Sequence, residues 1–241
     1  MSNLELFKHI DKKEMAHQLA AEIVEMAKGA VAENGVFSLF LSGGSSPRLL
    51  HQTLASEPFI SEMPWSKVHL FWGDERKVPK EHKDSNFGLA YQDLVSKVPI
   101  PTDNVHPMVC EIGGCEEWAE AYDELLKSFL LQNDHFDLIV LGIGTDGHTA
   151  SLFPGTPALE ETDGLVTVGQ APASATTRAR VTLTYTAFTK AKSVYFVVAG
   201  DNKAHIIEQI TRLGEEAPYP AARVRASESV QFHLDGATVT I

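Results

Sequence analysis

Apolar positions along this chain follow two alternating patterns, an amphipathic stripe of helical period and a short continuous run. The first stripe, from Met15 to Met26, predicts a helix that ends near Gly35. Asp11 and Glu14 precede this stripe with the spacing of a capping box. Further helices are predicted at residues 87–95, 116–131 and 203–213, and one is predicted to begin at Pro47 with Ser46 as its N-cap. Strands are predicted at residues 36–41, 68–72, 136–141, 181–183 and 194–198, with short terminal strands at 230–233 and 238–241.

The strand-forming runs indicate the class of fold. Runs such as LIVLG and VYFVVAG are apolar almost without interruption, which is typical of strands covered on both faces. Because these runs alternate with helices, the pattern predicts an α/β fold of three layers, with a mostly parallel, doubly wound, Rossmann-like sheet between helices. No repeat, low-complexity segment or linker divides the chain, so residues 1–241 are expected to form a single domain.

The charge of the chain restricts its possible partners. Lys and Arg number 20 against 32 Asp and Glu, a formal net charge of −12. This balance argues against nucleic acid or an anionic membrane as a partner, and no obligate protein partner is evident. An anionic substrate would be repelled by the overall field, so local cations and backbone N–H groups would have to bind it. No stretch resembles a membrane-spanning helix or a secretory signal, and a cytoplasmic location is therefore expected.

The first candidate binding loop follows the run at 36–41 and reads Ser42-Gly43-Gly44-Ser45. Two glycines between a strand and a helix allow backbone N–H groups to converge, and the helix N-terminus adds the positive end of its dipole. This loop is predicted to bind a phosphate, although a Gly-Gly pair also occurs in plain tight turns. The GxxxxGK[ST] spacing of a P-loop is absent.

A second loop has the glycine spacing of a dinucleotide-binding motif. Gly142, Gly144 and Gly147 spell GxGxxG directly after the run at 136–141. The pattern lies past the middle of the chain, and Pro154 limits any helix that begins there to about two turns. A nucleotide cofactor is therefore not expected. The two cysteines, Cys110 and Cys115, indicate neither a disulfide framework nor a metal site, and no cofactor or metal is expected.

The candidate catalytic residues of this loop are His148 and Asp146. An imidazole, with an unperturbed pKa of about 6.5, can take a proton from water and return it to a leaving oxygen at neutral pH. His148 differs from most of the ten histidines, because glycines and an acid at a strand end leave it exposed to a cleft. Asp146 is expected either to orient His148 or to cap the following turn.

Three cations lie at predicted strand or helix boundaries, and they could supply the positive charge that an anionic substrate requires. Arg76 ends the segment Gly73-Asp74-Glu75-Arg76, Arg180 precedes the run at 181–183, and Lys203 begins a predicted helix. A guanidinium matches the geometry of phosphate and carboxylate. A solvated charge cluster remains the alternative interpretation of the triplet at 74–76.

Seven segments occur in one order along almost the whole chain: LSGGSSP, FWGDERKVP, DSNFGLA, LIVLGIGTDGHTASLFPG, RVTLT, VVAGDNKA and YPAARV. Together they resemble the 6-phosphogluconolactonase family. The resemblance implies hydrolysis of 6-phospho-D-glucono-1,5-lactone to 6-phosphogluconate, in the oxidative pentose phosphate pathway, without metal or nucleotide. It implies that His148 acts as general base with help from Asp146. The residues expected at the substrate or its phosphate are Ser42, Gly43, Gly44, Ser45, Asp74, Arg76, Asn86, Gly144, Arg180 and Lys203.

Two other functions remain open on the sequence. Glucosamine-6-phosphate deaminases have a similar GxGxDGH loop, but they continue toward a Phe-Asn-Glu-Pro run where this chain reads Ala-Ser-Leu-Phe-Pro at residues 150–154. They also tend to carry a tyrosine at the position of Arg76, and both differences favour the lactonase. A non-catalytic sugar-phosphate sensor is the third possibility, and it would bind the phosphosugar without needing the imidazole.

Overall fold

The computed structural model describes residues 3–109 and 113–238, in which helices and strands alternate along the chain. The strands are β1 (Asn3–Lys8), β2 (Phe37–Leu41), β3 (Val68–Trp72), β4 (Asp74–Arg76), β5 (Phe136–Leu141), β6 (Val166–Gln170), β7 (Ala179–Leu183), β8 (Ala191–Val198) and β9 (Ser229–Leu234). The α-helices are α1 (Lys12–Asn34), α2 (Ser45–Leu54), α3 (Phe59–Glu62), α4 (Asn86–Ala90), α5 (Cys115–Asn133), α6 (Tyr185–Thr189) and α7 (Ala204–Leu213). A π-helical turn, Tyr91–Val95, continues α4.

A six-stranded sheet lies at the centre of the fold, in the order β1-β9-β8-β5-β2-β3. Every neighbouring pair in it is parallel. From β2 the chain proceeds outward to β3, then returns to β5 and proceeds outward the other way through β8 and β9. Since parallel crossovers are right-handed, this reversal places the connecting helices on both faces of the sheet. The predicted three-layer, doubly wound α/β fold is confirmed.

A smaller antiparallel sheet, in the order β4-β7-β6, was not predicted. The run at 181–183 does form part of a strand, but that strand belongs to this second sheet and not to the parallel one. Strands β1 and β6 were missed as well, because their partly exposed residues do not form the continuous apolar runs on which the prediction relied. The terminal strand predicted at 238–241 lies outside the described residues except for Thr238, which is in a turn, and Cys110 is also outside them.

Helix α1 begins and ends as the sequence predicted. The Asp11 side chain accepts hydrogen bonds from the backbone N–H groups of Lys13 and Glu14, and the Glu14 carboxylate accepts one from the N–H of Ile10 in return. Gly35 ends the helix with φ of 84°, a left-handed conformation that glycine adopts without steric cost. Within the described residues, none of the helices has both the length and the apolar character needed to cross a membrane.

The two central strands β2 and β5 are buried along their whole length. A reciprocal hydrogen-bonded pair joins them near their amino ends. The carboxylate of Asp137 accepts bonds from the N–H and the hydroxyl of Ser38, both at 2.8 Å, and the Ser38 hydroxyl oxygen accepts from the Asp137 N–H at 2.8 Å. Polar groups at this depth are tolerated because each finds a partner.

Replacement of Ser38 by alanine should destabilise the protein by about 1 to 3 kcal/mol, because it leaves the buried Asp137 N–H without its acceptor. Urea unfolding would measure the loss. The matched control is Ser61→Ala, which removes an exposed hydroxyl bonded to Glu57 and should change stability by less than about 0.5 kcal/mol. Equal stability of the two variants would contradict the importance of the buried pair.

Candidate active site

A cleft of about 250 Å³ opens at the carboxyl ends of the parallel strands, where the sheet order reverses between β2 and β5. Such a switch point is the usual ligand site of doubly wound sheets. The residues that line it end β8, follow β2, β3, β5 and β8, or begin the next element: Ser42, Gly43, Gly44, Ser45, Ser46, Pro47, Asp74, Arg76, Gly142, Ile143, Gly144, His148, Ala150, Val197, Val198, Ala199 and Lys203. The structure thus brings the three loops singled out in the sequence to one edge of the sheet.

The Gly43-Gly44 turn places the N-terminus of α2 at the cleft. The prediction that Ser46 caps this helix is wrong: α2 begins at Ser45, two residues before the predicted Pro47, and its N-cap is Gly44 with φ of 100°. Only glycine adopts that backbone conformation readily, and it allows the helix to start at Ser45. Within residues 3–109 and 113–238 no side chain caps this end, and its first turn contains no acid, so the first N–H groups of the helix are available to a ligand.

Asn86 lies behind the wall of the cleft and does not line it. Its Nδ2 donates to the backbone oxygen of Asp74 at 2.8 Å and to Oδ1 of the Asp74 carboxylate at 3.0 Å. Its Oδ1 approaches Gly43 so closely that a Cβ on that residue would lie 1.9 Å away. Asn86 therefore positions both the turn and Asp74. Ser151, which the sequence did not indicate, donates to the other carboxylate oxygen of Asp74 at 2.6 Å.

Two arginines are neighbours because β4 and β7 pair in antiparallel register, with Arg76 opposite Arg180. Arg76 lines the cleft and donates from Nη1 to the backbone oxygen of Asp84 at 2.5 Å. Arg180 lies behind it, 8% exposed, and its Nε and Nη1 have no partner among the described residues. Burial and then the charge of Arg76 lower the pKa of Arg180. The charges of Asp74, Glu75 and Asp84 oppose this effect, but within the described residues none of them forms a salt bridge with Arg180, so an anionic ligand could supply a direct partner.

The loop after β5 places His148 beside Asp146. Nδ1 of the imidazole lies 2.5 Å from Oδ1 of the carboxylate, which also accepts the His148 backbone N–H at 3.1 Å. Burial opposes ionisation of Asp146, but the hydrogen bond and charge of His148 outweigh it and hold the pKa of the carboxyl below its usual range. An ionised carboxylate only accepts hydrogen bonds, so Nδ1 carries the proton and Nε2 is left as the acceptor. Asp146 thus orients His148, one of the two roles expected for it.

Lys203, from the turn before α7, is the third cation of the cleft. Burial lowers the pKa of its ammonium group, and the negative charge of Asp146 opposes that effect. The side chain therefore lies within electrostatic reach of the His148 and Asp146 pair. All three cations predicted from the sequence are at this end of the sheet, although Arg180 is set back from the surface of the cleft.

Between β5 and β6 the GxGxxG pattern is followed by one short 3₁₀ helix, Pro157–Glu160, and by no α-helix. The loop folds back on itself instead, with the Gly144 N–H donating to the backbone oxygen of His148 at 2.9 Å. A Cβ on Gly144 would lie 2.0 Å from Nδ1 of His148 and 2.7 Å from Oδ1 of Asp146. Gly144 is therefore required by the close approach of the two side chains.

Two aromatic residues that the sequence did not indicate support this loop. The ring of Phe153 lies 4.2 Å from that of His148, measured between centroids. Tyr219 packs against Gly147, where a Cβ would lie 2.3 Å from the phenol ring, and the neighbouring Ala221 N–H donates to the Gly147 oxygen at 3.1 Å. The Tyr219 contact has no local signal in the sequence, since it joins two distant segments, whereas Phe153 follows His148 within the same loop. Among the described residues, no group of three or more His, Cys, Asp or Glu side chains could hold a metal ion.

Comparison with known proteins agrees with this geometry. Residues 10–233 match the family model described as glucosamine-6-phosphate isomerases/6-phosphogluconolactonase. A 6-phosphogluconolactonase of Synechocystis is 40% identical over 211 residues, which cover 86% of this chain and 85% of that protein. The chain belongs to this family.

Two solved structures place the chain within the family's common fold. The crystal structure of 6-phosphogluconolactonase from Thermotoga maritima superposes with a TM-score of 0.84 at 29% identity, covering 97% of this chain and all of that one. A monomeric glucosamine-6-phosphate deaminase reaches the same TM-score of 0.84 at 15% identity, covering 97% of this chain and 98% of that one. At that identity the likeness shows the shared fold alone, so the side chains of the cleft must distinguish the two activities.

Replacement of Gly144 by alanine should reduce kcat by about 100-fold, because the added Cβ must displace the imidazole that it would otherwise overlap. Steady-state kinetics on the phosphosugar lactone would measure the loss. Gly29→Ala is the matched control, since a Cβ there meets nothing within 4 Å on an exposed face of α1, and it should leave kcat unchanged. Wild-type kcat in Gly144→Ala would show that the close contact is irrelevant to catalysis.

Proposed function

We propose that this chain hydrolyses 6-phospho-D-glucono-1,5-lactone to 6-phosphogluconate, with His148 as general base. One observation carries the proposal: the oriented imidazole and the Gly43-Gly44 turn line a single cleft. The family membership supports the same reaction, since relatives across most of the chain's length are named for it.

The phosphate of the substrate would bind at the start of α2. There the uncapped N–H groups, the Ser42 and Ser45 hydroxyls and the positive end of the helix dipole favour an anion. Arg76 and Lys203, which also line the cleft, would add positive charge, with Arg180 behind Arg76. These cations are concentrated at one edge of a chain whose net charge is −12, which would offset the repulsion of a phosphosugar.

The lactone carbonyl would then lie near His148. Nε2 accepts a proton from a water molecule as the water oxygen attacks the carbonyl carbon. When the bond from that carbon to the ring oxygen breaks, the imidazolium returns the proton to the departing oxygen, and the products are a carboxylic acid and a hydroxyl group. Asp146 stabilises the imidazolium between these steps, as an ionised carboxylate 2.5 Å from Nδ1 can do.

Hydrolysis of the lactone needs little more than the pair of His148 and Asp146 and the correct orientation of the substrate. A lactone already hydrolyses in water, and a positioned general base contributes about 10²- to 10⁴-fold. Orientation of the bound sugar phosphate adds to that factor. The proposal includes a small-molecule substrate, no nucleic-acid partner and a cytoplasmic location, as expected from the charge and the sequence.

Replacement of His148 by alanine should lower kcat/KM by about 10²- to 10⁴-fold, because no other group would take the proton from water. The assay generates the lactone in situ with glucose-6-phosphate dehydrogenase and follows release of acid. His17→Ala is the matched control, since His17 lies on the exposed face of α1 and packs on Phe59.

The outcomes of this assay separate the three functions. Absence of any acceleration by the wild-type protein would reject the lactonase. Release of ammonia from glucosamine 6-phosphate would favour the deaminase. Full lactonase activity in His148→Ala would remove the assigned base, and phosphosugar binding without turnover would indicate a sensor.

The pH dependence should follow the imidazole alone. Since the pKa of Asp146 is held below its usual range by His148, this carboxyl stays ionised as the pH falls from 8 to 5. A histidine base accepts the water proton only in its neutral form, so kcat/KM should decrease toward acid pH. A profile that stays level from pH 8 to 5 would disprove a histidine base.

A further inference from the structure

Glu75 is a buried carboxylate to which none of the steps above assigns a role. It lies in β4 between Asp74 and Arg76 and is 3% exposed. A carboxylate in such a place is costly unless its oxygens are hydrogen-bonded. Burial raises the pKa of Glu75, and the N–H groups bonded to it oppose that effect. Its retention next to the cleft therefore requires an explanation.

Four hydrogen bonds converge on this side chain. Oε1 accepts from the backbone N–H of Arg76 at 2.7 Å and of Asn86 at 2.8 Å. Oε2 accepts from the N–H of Phe87 at 2.8 Å and from the Ser85 hydroxyl at 3.1 Å. Three of these donors belong to the first residues and the N-cap of α4. The carboxylate thus joins β4 to the start of α4.

The residues held in this way belong to the wall of the cleft. Asn86, fixed by its backbone, uses its side chain to hold Asp74 and to approach Gly43. Arg76 is fixed from both ends, since its N–H donates to Glu75 and its guanidinium donates to Asp84 in the loop before α4. The negative charge of Glu75 also faces the buried Arg180 and raises the pKa of that guanidinium.

We propose that Glu75 is a positioning residue for phosphate recognition: its carboxylate fixes the segment at residues 84–87, and through it the placement of Arg76, Asn86 and the Gly43 turn. The inference rests on the proposed function in that it assigns the phosphate to this wall. Glu75 does not line the cleft and has no contact with the reacting atoms. Its loss should therefore weaken substrate binding more than it slows the chemical step.

The test is Glu75→Gln, which keeps the shape of the side chain but replaces one acceptor oxygen by an NH₂ donor. That group would face N–H donors of the chain, so the segment at 84–87 should lose its fixed position. We expect KM for the lactone and Kd for inorganic phosphate to rise about ten-fold or more, with kcat within about three-fold of wild type. The kcat should persist because His148 and Asp146 belong to another loop.

Glu161→Gln is the matched control. Its carboxylate also accepts two backbone N–H groups, from Asp163 at 2.8 Å and Gly164 at 2.9 Å, but it does not line the cleft. This variant should have wild-type KM and phosphate Kd whatever its melting temperature. A Glu75→Gln protein that melts earlier but binds lactone and phosphate as the wild type does would overturn the proposal and leave Glu75 a structural residue.

A second variant covers the case in which Glu75→Gln does not fold. Ser85→Ala removes only the 3.1 Å bond to Glu75 and the cap of α4 at Gly88, and it should raise KM and phosphate Kd by about three-fold. Unchanged values would overturn the proposal. Calorimetric titration measures the binding of inorganic phosphate without any lactone hydrolysis. An inactive wild-type protein would contradict the proposed function, whereas unchanged phosphate binding in the variants would contradict this inference. Absence of phosphate binding by the wild type would also refute it.

Discussion

The pairing of β2 with β5 is the constraint on which the site depends. Leu39 lies opposite Leu138 and Phe40 opposite Ile139, so the two strands end side by side. Strand β2 continues into the glycine turn before α2, and strand β5 continues into the loop of His148. Because both strands are buried on both faces, any slip of register would move apolar side chains out of place, and the fold therefore fixes the distance between the two loops.

The small antiparallel sheet contributes two arginines to the region of the cleft. It places Arg76 next to Arg180, an arrangement that like-charge repulsion and burial both oppose. Proteins accept such unfavourable placements where function compensates for them. In an acidic chain, these two guanidinium groups and the open N-terminus of α2 bring positive charge to one end of the sheet.

At three glycines a side chain from another position packs directly against the backbone, and these contacts hold the parts of the cleft together. Gly43 admits the amide of Asn86, Gly144 admits the imidazole of His148, and Gly147 admits the ring of Tyr219. A side chain at any of these positions would push apart the groups that meet there. The glycines of the two loops therefore allow functional side chains to pack closely against the backbone, and in the second loop two of them belong to the GxGxxG pattern.

By itself the sequence determined the helices and strands with strong periodicity, the edge of the sheet that holds the site, the family, and the loops of His148 and Gly43. The conclusions about single elements and loops depend on residues within a few positions of one another, where the chain itself fixes the neighbours, whereas the family depends on seven segments that occur in one order along the chain. Only the tertiary structure decided that Asn86 and Arg180 stand behind the cleft wall and that Glu75 holds β4 to α4. It also revealed β1 and β6 and the start of α2 at Ser45. The physical reason is that a buried polar group or a half-exposed strand acquires its partners from distant segments, and no local pattern states which segments those are.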